Sequence, residues 1–180
     1  MVTMVVVLYG PKAAGKSQLA EILRAKHRVT HIDADMLVLD LLARGVRPHA
    51  QLGWLAQVED AVEAALDAGG AVSVEATGAW DSDWQLATDL ENRGHRVLRV
   101  WVCAPLDLTL RRLAERIAPK APVTQAEARA IWTAANDRAR NHTFDLALDT
   151  SEVEKEELPH ALAPLAARLA KGSGPGDSAG

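Results

Sequence analysis

Short unbroken apolar runs alternate along this chain with longer stretches in which apolar residues return every three or four positions. The runs Val5–Leu8, Val29–Ile32, Ala71–Val74, Val97–Val102 and Leu146–Leu148 are of strand length and rich in β-branched residues, and predict five buried strands. Helical spacing covers Ser17–Lys26, Met36–Ala43, Gln51–Ala68, Asp81–Arg93, Leu106–Ile117, Thr124–Arg140 and Val153–Ala170. Punctuation agrees with the periods. Gly69-Gly70 and Gly94 follow helical stretches, Asp81 or Ser82 can cap the helix that follows, and Thr124 with Glu127 forms a capping box. Pro159 and Pro164 fall inside the last helical stretch and are expected to disturb it.

Strand and helix in strict alternation imply an α/β fold: a mostly parallel sheet of about five strands, joined by right-handed crossovers and covered on both faces, a three-layer α/β/α sandwich. Residues 1–170 read as one domain. The stretch around 117–124 holds two prolines and Lys120 and reads as a loop that could serve as a lid. Residues 171–180, rich in Gly, Ser and Pro, cannot bury enough apolar surface to order themselves and are expected to be a disordered tail. Ligands of such sheets bind at the carboxyl ends of the strands, and the polar motifs of this chain fall there.

After the first strand comes Gly10-Pro11-Lys12-Ala13-Ala14-Gly15-Lys16-Ser17, followed by Gln18 inside the next helix. This GxxxxGKS segment has the composition of a phosphate-binding loop. Its glycines allow backbone N–H groups to turn inward around an anion, and the helix N-terminus points at the same charge. Lys16 can reach the β- and γ-phosphates, and the Ser17 hydroxyl can ligate Mg²⁺. Strand, loop and helix stand in the order this chemistry needs, so ATP and Mg²⁺ are the expected cofactors.

Composition narrows the partners. A net charge of −4 speaks against a general nucleic-acid surface. No apolar run is of membrane-spanning length, and neither a basic leader nor a cleavage site precedes the first strand, so a cytoplasmic protein with no membrane partner is the expectation. The one cysteine, Cys103, lies in a strand-like run and reads as a small buried hydrophobe. A small-molecule acceptor is the expected partner, and homodimerisation stays open.

Phosphoryl transfer to an alcohol needs a group that takes the hydroxyl proton and carboxylate charge near the metal. Asp33-Ala34-Asp35 follows the second strand. Alternate residues of an extended segment point opposite ways, so Asp33 is assigned to the outer shell of the metal and Asp35 to base and acceptor binding; either could instead cap the following helix. Glu75 ends the third strand, where an acid can hold Mg²⁺ or its water. Thr77 can donate to phosphate or acceptor, or stabilise the turn. Arg112 and Arg116 share a helix face before the lid and can hold phosphoryl oxygens, Arg116 over the γ-phosphate as catalytic cation. Arg138 and Arg140 close the next helix and can complement its dipole. Residues 36–60 and 78–90 should wall the acceptor site, with Arg44, Trp54, Gly78 and Trp80 as contacts beside Arg47, His49 and Trp84. Indoles suit a flat or largely apolar acceptor, such as an antibiotic, a nucleoside or a sugar derivative.

Together the loop at 10–17, Asp-Ala-Asp at 33–35, Val-Glu-Ala-Thr-Gly at 74–78, Arg-Leu-Ala-Glu-Arg at 112–116 and the run Phe144–Ser151 resemble the small P-loop kinases of the nucleoside-monophosphate-kinase fold. The pieces are similar to the AAA_33 and zeta-toxin-like families, in a wider group with shikimate kinase, gluconate kinase and chloramphenicol phosphotransferase. The resemblance spans about residues 2–170. It implies a metal role for Asp33, an acceptor-hydroxyl role for Asp35, a lid arginine at Arg116, an adenine-stacking arginine at Arg112, and a loop after Asp149 bordering the adenine. Two features depart from it: no Gly-Gly-Gly run follows the third strand, which counts against shikimate kinase activity, and Glu75 stands where Asp is usual. The function expected is an ATP-dependent kinase acting on a hydroxyl of a small molecule. The alternatives are a nucleoside or nucleotide kinase and a non-catalytic nucleotide-binding switch; no Asn-Lys-x-Asp guanine motif is present.

Overall fold

The computed structural model describes residues 3–45, 51–116 and 123–172. Five strands form one sheet: β1 (Met4–Tyr9), β2 (Thr30–Ile32), β3 (Ala71–Ala76), β4 (Arg96–Cys103) and β5 (Leu146–Asp149). All neighbours are parallel, in the order β2-β3-β1-β4-β5. The helices between them are α1 (Lys16–His27), α2 (Ala34–Ala43), α3 (Gln51–Asp67), α4 (Asp81–Asn92), α5 (Leu106–Ala114), α6 (Gln125–Ala139), α7 (Leu158–Ala161) and α8 (Ala163–Gly172). Among the described residues no helix is long and apolar enough to cross a membrane.

β1 explains the layers. Side chains alternate across a strand, and every residue of β1 is buried. Val5, Val7 and Tyr9 face a core shared with Leu55, Val58 and Val62 of α3, Leu86 and Leu90 of α4 and Ala135 of α6. Val6 and Leu8 face the opposite core, shared with Leu19 and Leu23 of α1, Leu158 of α7, Leu162 between α7 and α8, and Leu165 and Leu169 of α8. A strand apolar on both faces is what a central strand between two helical layers requires. β1 pairs with β3 on one side and β4 on the other, which puts the loop after it at the middle of the carboxyl edge.

The structure corrects three local expectations. α2 opens at Ala34, not Met36, so Asp35 lies in its first turn and the strand-like alternation assumed for Asp33 and Asp35 fails. Asp33 is the cap: its Oδ1 accepts from the amides of Asp35 at 3.0 Å and Met36 at 3.3 Å. α4 begins at Asp81 after Trp80, and the side chain that caps it is Asp83, reaching back to the Trp80 amide at 3.4 Å. The closing segment is two helices, with Pro159 and Pro164 in their first turns, where a missing N–H costs nothing. The capping box of α6 holds as expected, with Thr124 Oγ1 accepting from the Glu127 amide at 3.2 Å and Glu127 accepting from the Thr124 amide at 2.7 Å. Most of the lid stretch, with Lys120, lies outside the described residues, as do Arg47, His49 and nearly all of the tail.

Candidate active site

The loop between β1 and α1 is tight for stated reasons. Gly10 (φ +150°) passes so close to β4 that a Cβ there would lie 1.9 Å from the Val102 carbonyl oxygen. Gly15 (φ +107°) precedes α1, and a Cβ there would come within 3.0 Å of Thr150 Cγ2. Ala13 takes a left-handed backbone at φ 60° without being glycine, a sparsely populated conformation for a residue with a Cβ. The Lys16 side chain is buried, and its Nζ donates to the carbonyls of Gly10 at 2.7 Å and Pro11 at 3.0 Å. A cationic amine held over a glycine-bounded cradle at a helix N-terminus is a donor set for phosphate.

A cleft of about 580 Å³ opens from this loop along the carboxyl edge of the sheet. Its walls carry Lys12, Ala13, Gly15, Lys16, Ser17 and Gln18 from the loop and α1. Ala34 and Asp35 come from α2, Glu75, Ala76 and Thr77 from the end of β3, and Trp80, Ser82 and Asp83 from the start of α4. Arg112, Arg116 and Ile131 close it from α5, the residues after it, and α6. Most residues singled out in the sequence thus meet in one cavity. Lys12 Nζ donates to Asp35 Oδ1 at 2.6 Å, joining the phosphate loop to the acidic turn after β2. Glu75 Oε1 lies 3.5 Å from His31 Nε2, and His31 Nδ1 contacts Ser73 Oγ at 3.0 Å, so a histidine on β2 stands beside the strand-end acid.

The other end of the cleft is set by Arg112. Its Nη1 donates to Thr150 Oγ1 at 2.8 Å and its Nη2 to the Thr150 carbonyl at 3.1 Å. A second recess of about 260 Å³, lined by Gln18, Leu108, Arg112, Thr150, Ser151 and Glu154 among others, adjoins it.

Three of the expected metal and acceptor contacts stand off the cleft walls. Arg44 is exposed and paired with Asp40 one turn back on α2, outside the cleft walls. Asp33 is absent from the walls and its Oδ1 is used by the α2 amides. Gly78 is behind them: its carbonyl accepts from Trp84 Nε1 at 3.1 Å, and its φ of +72° makes the turn. The side chain of Trp54 lies outside the described residues. Arg138 pairs with Asp81 and Arg140 with Asp137, neither in the cleft. Trp84 is a core residue, stacked 4.4 Å from Tyr9 on one face and 3.7 Å from His142 on the other.

Asp83 was not foreseen. It is 2% exposed, accepts from Thr77 Oγ1 at 2.5 Å and the Ala79 amide at 3.2 Å, and burial pushes its carboxyl above the usual range against those hydrogen bonds. The signal was present in its spacing, six residues after Thr77 and three after Trp80, the N3 position of a capped helix.

A family model for AAA_33, described as an AAA domain, matches residues 5–142. The chain belongs to the AAA_33 family. Solved structures share the fold of this AAA_33 chain at low identity. A gluconokinase from Sinorhizobium meliloti 1021 is 18% identical with a TM-score of 0.62, over 93% of this chain and 94% of that one. The tunicamycin resistance protein of Deinococcus radiodurans is 17% identical with a TM-score of 0.63, over 92% and 96%. A shikimate kinase from Aquifex aeolicus vf5 is 16% identical with a TM-score of 0.57, over 95% and 100%. A search of curated protein sequences finds no match. The fold is that of small P-loop kinases of the nucleoside-monophosphate-kinase type.

Proposed function

We propose that this AAA_33 chain is an ATP- and Mg²⁺-dependent kinase that transfers the γ-phosphoryl group to a hydroxyl of a small molecule. The observation that carries the reading is the continuity of the cleft: Lys16 and Ser17 of the phosphate loop share one cavity with Asp35 and Thr77. A nucleotide-binding switch needs the first pair but has no use for an acceptor half-site in the same cavity. The solved relatives named for gluconate and shikimate phosphorylation support the same reaction class.

The residues fit the groups this chemistry requires. Backbone N–H groups of the loop and the start of α1 hold the phosphates, with Lys16 as the cation between them. The Ser17 hydroxyl and the Glu75 carboxylate are hard oxygen donors in the same cleft, suited to a magnesium ion that keeps several waters. Bound there, Mg²⁺ would neutralise charge on the phosphate oxygens. Asp35 takes the proton of the acceptor hydroxyl as that oxygen bonds to the γ-phosphorus and the bond from phosphorus to the β–γ bridging oxygen breaks. Lys16 and Arg116 stabilise the charge spread over the phosphoryl group in transit. Thr77 orients the acceptor.

The acceptor half points to a chemical class. α2 and the β3–α4 segment give it Asp35, Thr77, Ser82, Asp83 and the Trp80 indole, which is 50% exposed. Among the described residues these elements bring no Arg or Lys to the cleft. Hydroxyls, carboxylates and an indole suit a neutral or amine-bearing alcohol with an apolar face, such as an antibiotic or a nucleoside, better than a carboxylate or phosphate.

The test is ADP release with purified protein across a library of antibiotics, nucleosides and sugars, with Lys16→Ala as the blank. At least one compound should stimulate release, and Asp35→Asn should lower that rate by about 10²–10⁴-fold while nucleotide binding is retained. Nucleotide binding with no stimulation by any compound would favour the switch.

A further inference from the structure

The ion pair between Lys12 and Asp35 joins two groups that the kinase reading assigns to different substrates. Lys12 is the third residue of the phosphate loop, and Asp35 is the base that faces the acceptor. Their atoms are 2.6 Å apart, with side chains 15% and 22% exposed, and both line the cleft that holds Lys16 and Ser17. A charge-assisted contact of that length in a partly buried site is strong, and it takes one oxygen of the base out of use. The two loop lysines lie differently. Lys16 arches inward onto the Gly10 and Pro11 carbonyls, while Lys12 leans outward to α2. Both amines line the same cleft as Ser17, so a triphosphate gripped by the loop brings its terminal phosphate into the space that Lys12 borders.

We infer that Lys12 is an exchangeable ammonium, held by Asp35 when the loop is empty and drawn to the γ-phosphate when a triphosphate enters. The inference rests on the kinase reading and deepens it. The γ-phosphate carries more negative charge than one carboxylate, and its non-bridging oxygens accept as well as a carboxylate does. The exchange leaves Asp35 Oδ1 open to the acceptor hydroxyl only when there is a phosphoryl group to transfer. It also gives the two half-sites a shared element whose state both bias, which is the requirement for coupling between them. The β-phosphate, gripped by Lys16 deeper in the loop, does not take part.

Binding of Mg²⁺·AMP-PNP and Mg²⁺·ADP by calorimetry tests this without any acceptor, using the wild-type chain, Lys12→Met, Asp35→Asn and the double variant. Asp35→Asn removes the competitor for Lys12, so it should tighten AMP-PNP by roughly 5–10-fold in the wild-type background and by less than about 2-fold in the Lys12→Met background. ADP affinity should respond to Asp35→Asn equally in both backgrounds. Lys12→Gln serves the same cycle if Lys12→Met fails to fold. An equal effect of Asp35→Asn on AMP-PNP in both backgrounds overturns the exchange while leaving the kinase reading intact. Failure of the wild-type chain to bind either nucleotide overturns that reading and the inference with it.

Discussion

Arg112 holds Thr150 by both faces of the threonine, Nη1 on the hydroxyl at 2.8 Å and Nη2 on the carbonyl at 3.1 Å, and the same hydroxyl donates to the Ala14 carbonyl at 2.7 Å. One hydroxyl thereby links α5, the turn after β5 and the phosphate loop. Thr150→Val keeps the shape and removes the relay, leaving the buried Ala14 carbonyl and a guanidinium N–H without that partner. A loss of about 1–2 kcal/mol is expected, seen as a Tm lower by roughly 2–8 °C. AMP-PNP binding should weaken several-fold, because Arg112 then keeps only the Thr150 carbonyl of its two anchors. A melting curve and an affinity both unchanged would show that Arg112 is held by something else.

Two glycines with positive φ should respond very differently to the same change. At Gly10 the added methyl meets a backbone carbonyl of β4 at 1.9 Å, and neither strand can retreat without breaking the β1–β4 ladder. Gly10→Ala is expected to cost more than about 4 kcal/mol or to prevent folding. Gly69, φ +95°, has nothing within 4 Å of the added carbon. Gly69→Ala should cost only the left-handed strain of about 1–2 kcal/mol. Urea denaturation of both variants checks the ordering.

What could be read beforehand follows the range of the interactions. The phosphate loop, the five strands and the Thr124–Glu127 box are local patterns, set by residues within a few positions of each other, and they stand where the periods put them. Asp33 and Asp35 mark where local reading stops. A two-residue shift in the start of α2 exchanged an extended segment for a helix, made Asp33 the cap and left Asp35 in the cleft. Arg44 stands outside the cleft for a related reason: it follows the end of α2, and Asp40, four residues back on that helix, pairs with it. The Tyr9–Trp84–His142 stack joins three elements, and nothing in a window of sequence announces which aromatic residues will meet across a sheet.

That stack yields a test with a clean signal, because Tyr9 is the only tyrosine in the chain. Burial pushes its phenol far above the ordinary value of 10.0, with Arg99 opposing the shift and Asp83 and Glu91 adding to it. The folded state thus holds its proton where the unfolded state releases it. The stability this contributes is whole below pH 10 and is lost as pH rises from 10 toward the folded-state value. Native protein should show no tyrosinate absorbance at 295 nm at pH 11, whereas protein unfolded in urea should titrate near pH 10. Tyr9→Phe should make stability less sensitive to pH between 9 and 11. A native tyrosinate signal with a midpoint near 10 would mean the phenol is not enclosed.

Asp83 should report at the acid end, and its sign is the reverse of that of a surface carboxylate in an ion pair. Burial raises its folded-state value above the ordinary 3.8, even though Thr77 and the backbone N–H groups at Gly78, Ala79 and Trp80 stabilise the anion. A group shifted this way contributes stability that is fully present below its unfolded value and declines as pH rises through its folded one. Asp83→Asn should therefore flatten the pH dependence of unfolding above pH 4. Its net cost at pH 7 should be about 1 kcal/mol or less, since the amide oxygen can still accept from Thr77 and from the helix start. Asp83→Ala leaves the Thr77 hydroxyl and the Ala79 amide without their acceptor, and should cost about 2–4 kcal/mol. It should also loosen the β3–α4 turn that carries Thr77 and Trp80 into the cleft. Guanidinium unfolding of the three proteins at pH 4.5 and 7.5 separates the two effects. If Asp83→Asn and Asp83→Ala proved equally destabilised at pH 7.5, the carboxylate would be acting through its charge and not through the hydrogen bonds it accepts.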